Sequence, residues 1–422
     1  MPETLPLSSD VEAQVKTIGG ADIVVGIPSF NNARTIGHVV QAVSAGCSKY
    51  FPTSRCVLVN SDGGSKDGTQ DVVSRADFHT PTAILVSHEV TPVHKIITPY
   101  HGIPGKGSAL RTIFALAEKL GARACAVVDS DLRSITPGWM ELLLGPIVQQ
   151  GMDYVAPLYL RHKYDGTITN SIVYPLTRAL YGKEIRQPIG GDFGFSGALA
   201  SHYLTQPVWS TNVARFGIDI WMTTTAVAKG FKVCQSFLGA KIHDAKDPGA
   251  DLAQMLVQVV SSVFDLMETY KDSWTKVQTA EEVPLFGFPH GVGLEPVNVN
   301  VERMLGIFRR GATDLRELWE KALTPETLAE VSLLAASQGE TFVFPDATWV
   351  RVVFDFSRAY ARKALPGEQL LASLVPLYLG RTASFVLQTE RSDEAEVEGA
   401  NRALAEKFVE MKPYLLQRWS AQ

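Results

Sequence analysis

The chain has 422 residues, 45% of them hydrophobic and 20% charged, which is enough to bury one large core or two ordinary ones. Its 44 acidic and 39 basic residues are interspersed and give a net charge of −5, which excludes the basic footprint of a nucleic-acid-binding protein. The four cysteines, Cys47, Cys56, Cys125 and Cys234, lack any C-x-x-C spacing and lie mostly among apolar residues, so they are expected to be reduced core residues.

The opening "MPETLPLSSDVEAQ" has neither the basic start nor the apolar stretch of a signal peptide, and no run of about 18 apolar residues suggests a membrane span. Residues 1–21 are read as an N-terminal extension, and a cytoplasmic protein without membrane contact is expected. From Asp22, short apolar runs alternate with helical patterns: "DIVVGIPSF", "RTIGHVVQAVSAGC", "RCVLVNSD", "GTQDVVSRA" and "TAILVSH". A helix over 107–120 leads to the strand "ARACAVVDSD", and a helix over 139–149 leads to "DYVAPLYL". This βαβ rhythm predicts an open α/β sheet with a mostly parallel strand order.

In such sheets ligands sit beyond the carboxyl ends of the strands. The polar runs "PSFNNART", "NSDGGSKDGT" and "DSDLRS" follow the first, second and fourth strands, so the three loops are expected to meet on one edge. Residues 22–280 are assigned to the α/β domain. After the Pro- and Gly-rich stretch "VPLFGFPHGVGLEPVNVN", residues 281–422 read as a mostly helical C-terminal region, with helical periodicity in "VNVNVERMLGIFRRG", "LRELWEKAL", "PETLAEVSLLAASQ", "DATWVRVVFDFSRAYARKAL" and "EAEVEGANRALAEKFVEMKPYLLQRW".

The D-x-D motif at Asp129 and Asp131, at the end of a buried strand, offers hard oxygen ligands suited to magnesium or manganese beside a phosphate. The alternative is local: Asp131 capping the next turn and Asp129 satisfying nearby backbone donors. In "GIPGKGSAL", Lys106 stands between Gly105 and Gly107 just before a helix, where an ammonium and backbone N–H groups can face a diphosphate, although the spacing is not that of a Walker A loop. Asp62 is a candidate for holding a nucleoside or for shaping an Asp-Gly turn, and Asp67 for capping a helix. His243, in "GAKIHDAKDPG", could complete a cation site begun by two carboxylates.

The ordered set "GIPSFNN", "NSDGGSKDGT", "PGKGSAL", "VVDSDL", "QPIGGDF", "RFGIDIWM" and "GAKIHD" resembles the GT-A glycosyltransferases that make glycerate-linked sugars, the mannosylglycerate and glucosyl-3-phosphoglycerate synthases. The resemblance runs from about residue 22 to 271. It implies a GT-A, Rossmann-like domain and a divalent cation, Mg2+ or Mn2+, on Asp129, Asp131 and His243. It further implies a nucleotide-sugar site built from Pro28, Ser29, Asn31, Asp62, Gly105, Lys106, Ser130 and Gln187. Ile189 would face the reacting centre through its carbonyl, Asp192 would hold donor-sugar hydroxyls, and Asp219 would lie where sugar and acceptor meet. Arg161, Thr167 and Thr169 would bind the acceptor, a guanidinium fork matching a carboxylate. Related enzymes often carry glutamate where this chain has Asp192. The phosphoglycerate enzymes carry arginine where it has Thr167, which favours an acceptor without phosphate, while Arg161, His162 and Lys163 nearby keep a glucosyl- or mannosyl-3-phosphoglycerate synthase as the alternative.

The implied reaction moves mannose or glucose, from GDP-mannose, GDP-glucose or UDP-glucose, to D-glycerate or a related 2-hydroxy acid, with retention, as in compatible-solute synthesis. A possible homodimer follows from the same resemblance. Two other classes share the sheet and the D-x-D: a sugar-phosphate nucleotidyltransferase, whose basic glycine-rich first loop is absent here, and a silent sugar-nucleotide-binding protein. "LLQRW" near the C-terminus has the wrong spacing for a processive-synthase motif and reads as a helix end.

Overall fold

The structure, a computed structural model, describes residues 7–76, 94–99, 105–242, 253–291, 293–294, 297–337 and 342–420, with the side chains of 94–99 left out. The chain divides into two compact units, the first made of Met1–Leu160, Ile189–Asp244 and Val283–Leu294, the second of Arg161–Pro188, Ala245–Glu282 and Glu295–Gln422. This differs from a boundary near residue 280. Sequence proximity ties 161–188 and 245–282 to the α/β region, but their apolar helix faces are buried among the C-terminal helices: Tyr174–Tyr181 packs on Glu394–Glu410, and Ala253–Thr269 packs on Gly367–Thr389.

The first unit holds, among the described residues, an eight-stranded sheet. Its strands in chain order are β1 (Ile23–Ser29), β2 (Cys56–Asp62), β3 (His94–Pro99), β4 (Ala124–Val127), β5 (Tyr154–Leu160), β6 (Phe193–Ser196), β7 (Val233–Ala240) and β8 (Leu285–Phe286). The order across the sheet is β8-β7-β5-β6-β4-β1-β2-β3. Only β6 runs antiparallel to its neighbours β4 and β5. The expected open, mostly parallel α/β sheet is present. Every residue of β1 and β2 is buried, as strands covered by helices on both faces must be.

The run "TAILVSH" lies outside the described residues, and β3, which pairs with β2, is a segment the periodicity did not single out. The short β6, "FGFS", carries a glycine and too few residues to show alternation. The helices after β1, β2 and β4 fall where their patterns place them, at Ile36–Tyr50, Thr69–Arg75 and Gly138–Gln150, and Lys106–Lys119 precedes β4. The core between sheet and helices includes Val25, Ile27, Val39, Trp139 and Leu143, with Cys47 and Cys56 among them. All four cysteines are buried and unbridged. In the N-terminal extension, the helix Ser9–Ile18 is capped by the Ser8 hydroxyl and buries Val11.

The second unit is helical, with a two-stranded ribbon of Lys183–Glu184 and Glu281–Glu282. Its longest helix, Gly367–Thr389, is by length and composition able to cross a membrane, contrary to the reading that no stretch is. It is mostly buried inside the protein, and its Arg381 is paired with Asp346 at 2.6 Å, which marks a core helix of the helical unit. The "LLQRW" residues are structural too: Arg418 pairs with the buried Asp355 at 2.8 Å, and Trp419 meets Trp274 edge-on at 5.3 Å.

Candidate functional site

Parallel registers carry the polar strand ends to one edge. Ser29 of β1 is opposite Asp62 of β2, and Val127 of β4 is opposite Gly26, so Asp129 emerges beside them. The three loops meet as expected. Asn31 donates its backbone N–H to Ser65 Oγ (2.7 Å), Asn32 donates its own to Thr69 Oγ1 (2.9 Å), and Ser130 Oγ donates to Asn32 Oδ1 (2.8 Å). Asn31 adopts φ 56°, a left-handed conformation that asparagine tolerates, and its side-chain oxygen accepts from the Lys66 N–H at 3.1 Å.

Asp62 is fully buried and accepts from the Gly64 and Ser65 N–H groups, the Ser65 and Ser29 hydroxyls and Gln70 Nε2, all at 2.7–2.9 Å. Burial pushes its carboxyl up, but these donors prevail and hold it below the usual range. Five donors fill the acceptor capacity of a carboxylate, so here Asp62 shapes the loop that borders the site. Asp67 braces the same loops, accepting from Ala33 N–H at 3.0 Å and from Thr69 N–H at 3.1 Å.

The centre of the site is a network of three aspartates and two lysines from five elements of the first unit. Lys106, the first residue of its helix, donates to Asp129 Oδ1 (2.8 Å) and the Gly191 carbonyl (3.1 Å), and lies 3.2 Å from Asp219 Oδ1. Lys241, just past β7, donates to Asp129 Oδ2, Asp192 Oδ2 and the Gly190 carbonyl, each at 2.8 Å. Lys241 is 8% exposed and Asp192 not at all. Burial pulls the Lys106 ammonium down, but Asp129 and Asp219 outweigh it and hold it above its ordinary value. Burial likewise opposes ionisation of Asp129, yet the two ammonium groups keep it well below the carboxylate range.

Glycines make this approach possible. Gly191 has φ 93°, and a Cβ there would fall 2.3 Å from Asp129 Oδ2. The glycines around Lys106 serve packing: a Cβ on Gly107 would lie 1.9 Å from the Val213 carbonyl, and one on Gly105 2.6 Å from Arg215 Cα. The backbone at 213–215 therefore sits directly on the loop, tied by the Gly107 N–H to the Arg215 carbonyl at 3.1 Å.

Several expected roles change at this level. Asp192 was expected to hold sugar hydroxyls. Its Oδ1 instead accepts from the Asp129 N–H at 2.7 Å, and its Oδ2 from Lys241 and the Tyr159 hydroxyl, so it positions Asp129 and presents no oxygen to a ligand. A bulge opposite Tyr159, at Gly239 with φ 81°, lets that hydroxyl reach it. Asp129 was expected as a cation ligand; in this structure each of its oxygens holds an ammonium.

Asp131 is half-buried at the rim. His243 lies outside the described residues. The preceding Ile242 is pinned to the D-x-D loop, its N–H to Ser134 Oγ at 2.9 Å and its carbonyl to the Arg133 N–H at 2.9 Å. Among the described residues no three His, Cys, Asp or Glu side chains form a cation cage. The charge balance still fits a cation: the carboxylates of Asp129, Asp131, Asp192 and Asp219 outnumber the two ammonium groups, and buried Asp219 Oδ1, 3.2 Å from Lys106 Nζ, makes no hydrogen bond. Burial pushes the Asp219 carboxyl up, Lys106 opposing and Asp129 reinforcing.

Pro28 and Ser29 are buried at the end of β1, and Ile189 is half-buried before the glycine pair. Gln187, Arg161, Thr167 and Thr169 belong to the helical unit. There Arg161 pairs with Asp165 at 3.7 Å, the Thr167 hydroxyl meets the Tyr378 hydroxyl at 2.5 Å, and Thr169 is buried at the start of a π-helical turn over Thr169–Val173. Sequence reasoning missed Lys241 and Tyr159. Lys241 stands two residues before His243, and its only signal was a charged residue ending an apolar strand.

No family model matches the chain, and no curated protein matches it. Among solved structures it is similar to glucosyl-3-phosphoglycerate synthase from Mycobacterium tuberculosis in several complexes. For that with Mn2+, uridine diphosphate and glucosyl-3-phosphoglycerate the identity is 19% and the TM-score 0.45, over 64% of this chain and 87% of that one. For that with Mn2+, UDP-glucose and phosphoglyceric acid they are 20% and 0.45, over 61% and 83%. For that with Mg2+ and uridine diphosphate they are 19% and 0.45, over 64% and 86%.

Proposed function

We propose that the chain is a retaining, metal-dependent hexosyltransferase that moves mannose or glucose from a nucleotide diphosphate to D-glycerate or a related 2-hydroxy acid. The observation that carries this reading is the buried Lys106–Asp129–Lys241–Asp192 network at the carboxyl edge of the sheet, with Asp219 ion-paired to Lys106 beside it and its Oδ1 making no hydrogen bond. The ordered motifs "PGKG", "DSD", "QPIGG", "FGID" and "GAKIH" support the same chemistry.

In this reading Asp131 and His243 hold a divalent cation, which supplies neutralisation of the diphosphate charge when bound. Lys106, already ionised and oriented, faces the same developing negative charge without reorganising. Asp219 Oδ1 accepts a hydrogen bond from a hydroxyl of the bound sugar or acceptor and fixes its orientation. Asp192 and Tyr159 hold Asp129 and Lys241 in place. Arg161 and Thr169 bind the acceptor carboxylate, and neutral Thr167 matches an acceptor without phosphate.

The test is release of nucleoside diphosphate and product mass with GDP-mannose, GDP-glucose and UDP-glucose, each with D-glycerate or 3-phosphoglycerate, with Mn2+, Mg2+ or chelator. Metal-dependent transfer to D-glycerate giving an α-linked product is expected. Transfer confined to 3-phosphoglycerate overturns the acceptor assignment, and donor binding without transfer in any combination overturns the enzyme assignment.

A further inference from the structure

The helical unit contains a cavity of about 490 Å³, within the range of roughly 300–1,000 Å³ used for small-molecule sites. It lies along the helices Gly367–Thr389 and Glu394–Glu410, with residues 343–346 and Thr167, Asn170 and Ser171 also on its wall. Its polar lining has a definite character. Arg381 is almost fully buried, but one of its nitrogens donates to the Phe344 carbonyl and another pairs with Asp346, both at 2.6 Å, so it brings no uncompensated charge.

The Thr382, Thr389 and Ser171 hydroxyls donate to carbonyls one helical turn earlier, at 2.9, 2.6 and 2.7 Å, and face the cavity as acceptors. Asn401 is the exception to this economy. It is 5% exposed, lines the cavity, and its amide makes no side-chain hydrogen bond among the described residues. Its carboxamide therefore has its donors and its acceptor available to a ligand in the cavity. Phe385 and Leu404 add an apolar wall.

We infer that this cavity is a binding site for an uncharged, polyhydroxylated molecule of mono- to disaccharide size. Ligand hydroxyls donate to the Thr382, Thr389 and Ser171 oxygens and accept from the Asn401 amide, while a sugar's C–H face lies on Phe385 and Leu404. An anion finds no unpaired cation there. The site lies within the helical unit and shares Thr167 with the acceptor residues proposed above, but binding is read without turnover, so its failure and that of the transfer reaction are told apart.

The experiment is saturation-transfer NMR and calorimetric titration of the full chain with methyl α-D-glucopyranoside, maltose and trehalose, with D-glycerate as the anionic comparison. At least one neutral sugar is expected to bind. Asn401→Leu should weaken that binding at least tenfold, and Ala400→Trp, at an exposed helix position on the cavity wall, should abolish it with the melting temperature unchanged. Asp219→Asn, in the other unit, should leave the same Kd. Absence of binding by all three sugars overturns the assignment, as does binding unaffected by both cavity variants, or binding of D-glycerate alone.

Discussion

Lys241 holds Asp129 from the side opposite Lys106, its Nζ 2.8 Å from Asp129 Oδ2 and equally 2.8 Å from Asp192 Oδ2. One ammonium thus locks two carboxylates that are 63 positions apart in the chain and that would otherwise repel each other in a buried setting.

Replacing that ammonium should therefore be severe. Lys241→Met leaves Asp192, wholly buried, and Asp129 without their shared counter-charge, and a loss of about 3–5 kcal/mol in unfolding free energy is expected. Denaturant unfolding measures it. A variant with wild-type stability would show that the lysine is not what holds the pair.

The two D-x-D carboxylates should separate by phenotype. Asp131→Ala should raise the Mn2+ concentration for half-maximal donor binding by more than about tenfold while leaving the melting temperature near wild type. Asp129→Asn should mainly lower the melting temperature, because it breaks the contacts to Lys106 and Lys241. Titration of Mn2+ by electron paramagnetic resonance, beside thermal melts, reads both.

Asp219→Asn is expected to lower kcat/KM by about 10²-fold. Its folded carboxyl is raised by burial, so the folded state binds more protons than the unfolded one just above the ordinary carboxylate pKa, and Asp219 costs stability increasingly as pH rises through that range. The Asn variant should lose this pH-dependent cost and melt no lower than wild type at neutral pH. Retention of most turnover removes Asp219 from an essential role.

Gly107→Ala places a methyl group 1.9 Å from the Val213 carbonyl. The loop must shift, and a destabilisation of roughly 1–3 kcal/mol is expected, together with weaker donor binding because Lys106 is the adjacent residue. Unchanged unfolding midpoints and donor Kd would contradict the close packing described for this loop.

In the helical unit, Lys412 is buried with its ammonium on the carbonyls of Leu180, Trp274 and Val277, at 3.4, 2.8 and 2.7 Å. Burial brings it down from 10.5 to about 8. The unfolded chain therefore binds more protons between these values, and stability gains from this residue as pH rises from about 8 to 10.5. The stability difference between wild type and Lys412→Met should shift in favour of wild type across that window. A difference independent of pH would place the ammonium's pKa at its ordinary value.

Much of the α/β unit was legible because a strand ending in polar residues marks both an element and an edge of the sheet, as in "VLVNSD" and "VVDSD". Asp129 was singled out on that logic and Lys106 by its flanking glycines ahead of a helix, and they do meet. Lys241 escaped because its partners lie 49 and 112 positions away, beyond any local pattern. The role the resemblance implied for Asp192 had no local pattern to check it, because the Asp129 N–H, Lys241 and Tyr159 that meet its oxygens lie 33 to 63 positions away. The helix Gly367–Thr389 was missed because it is buried on nearly all sides and shows no polar stripe to set its period.

The discontinuous make-up of the helical unit sets an order of events during synthesis. Tyr174–Tyr181 leaves the ribosome with seven side chains that are buried in the folded protein and whose packing partner, Glu394–Glu410, is more than 200 residues downstream. At roughly 5–20 residues per second the early helix waits on the order of ten to forty seconds for its counterpart. The apolar face of Ala253–Thr269 waits in the same way for Gly367–Thr389. The helical unit therefore closes only once nearly the whole chain is made, and a nascent chain stopped near residue 280 would display those faces to chaperones and to other nascent chains.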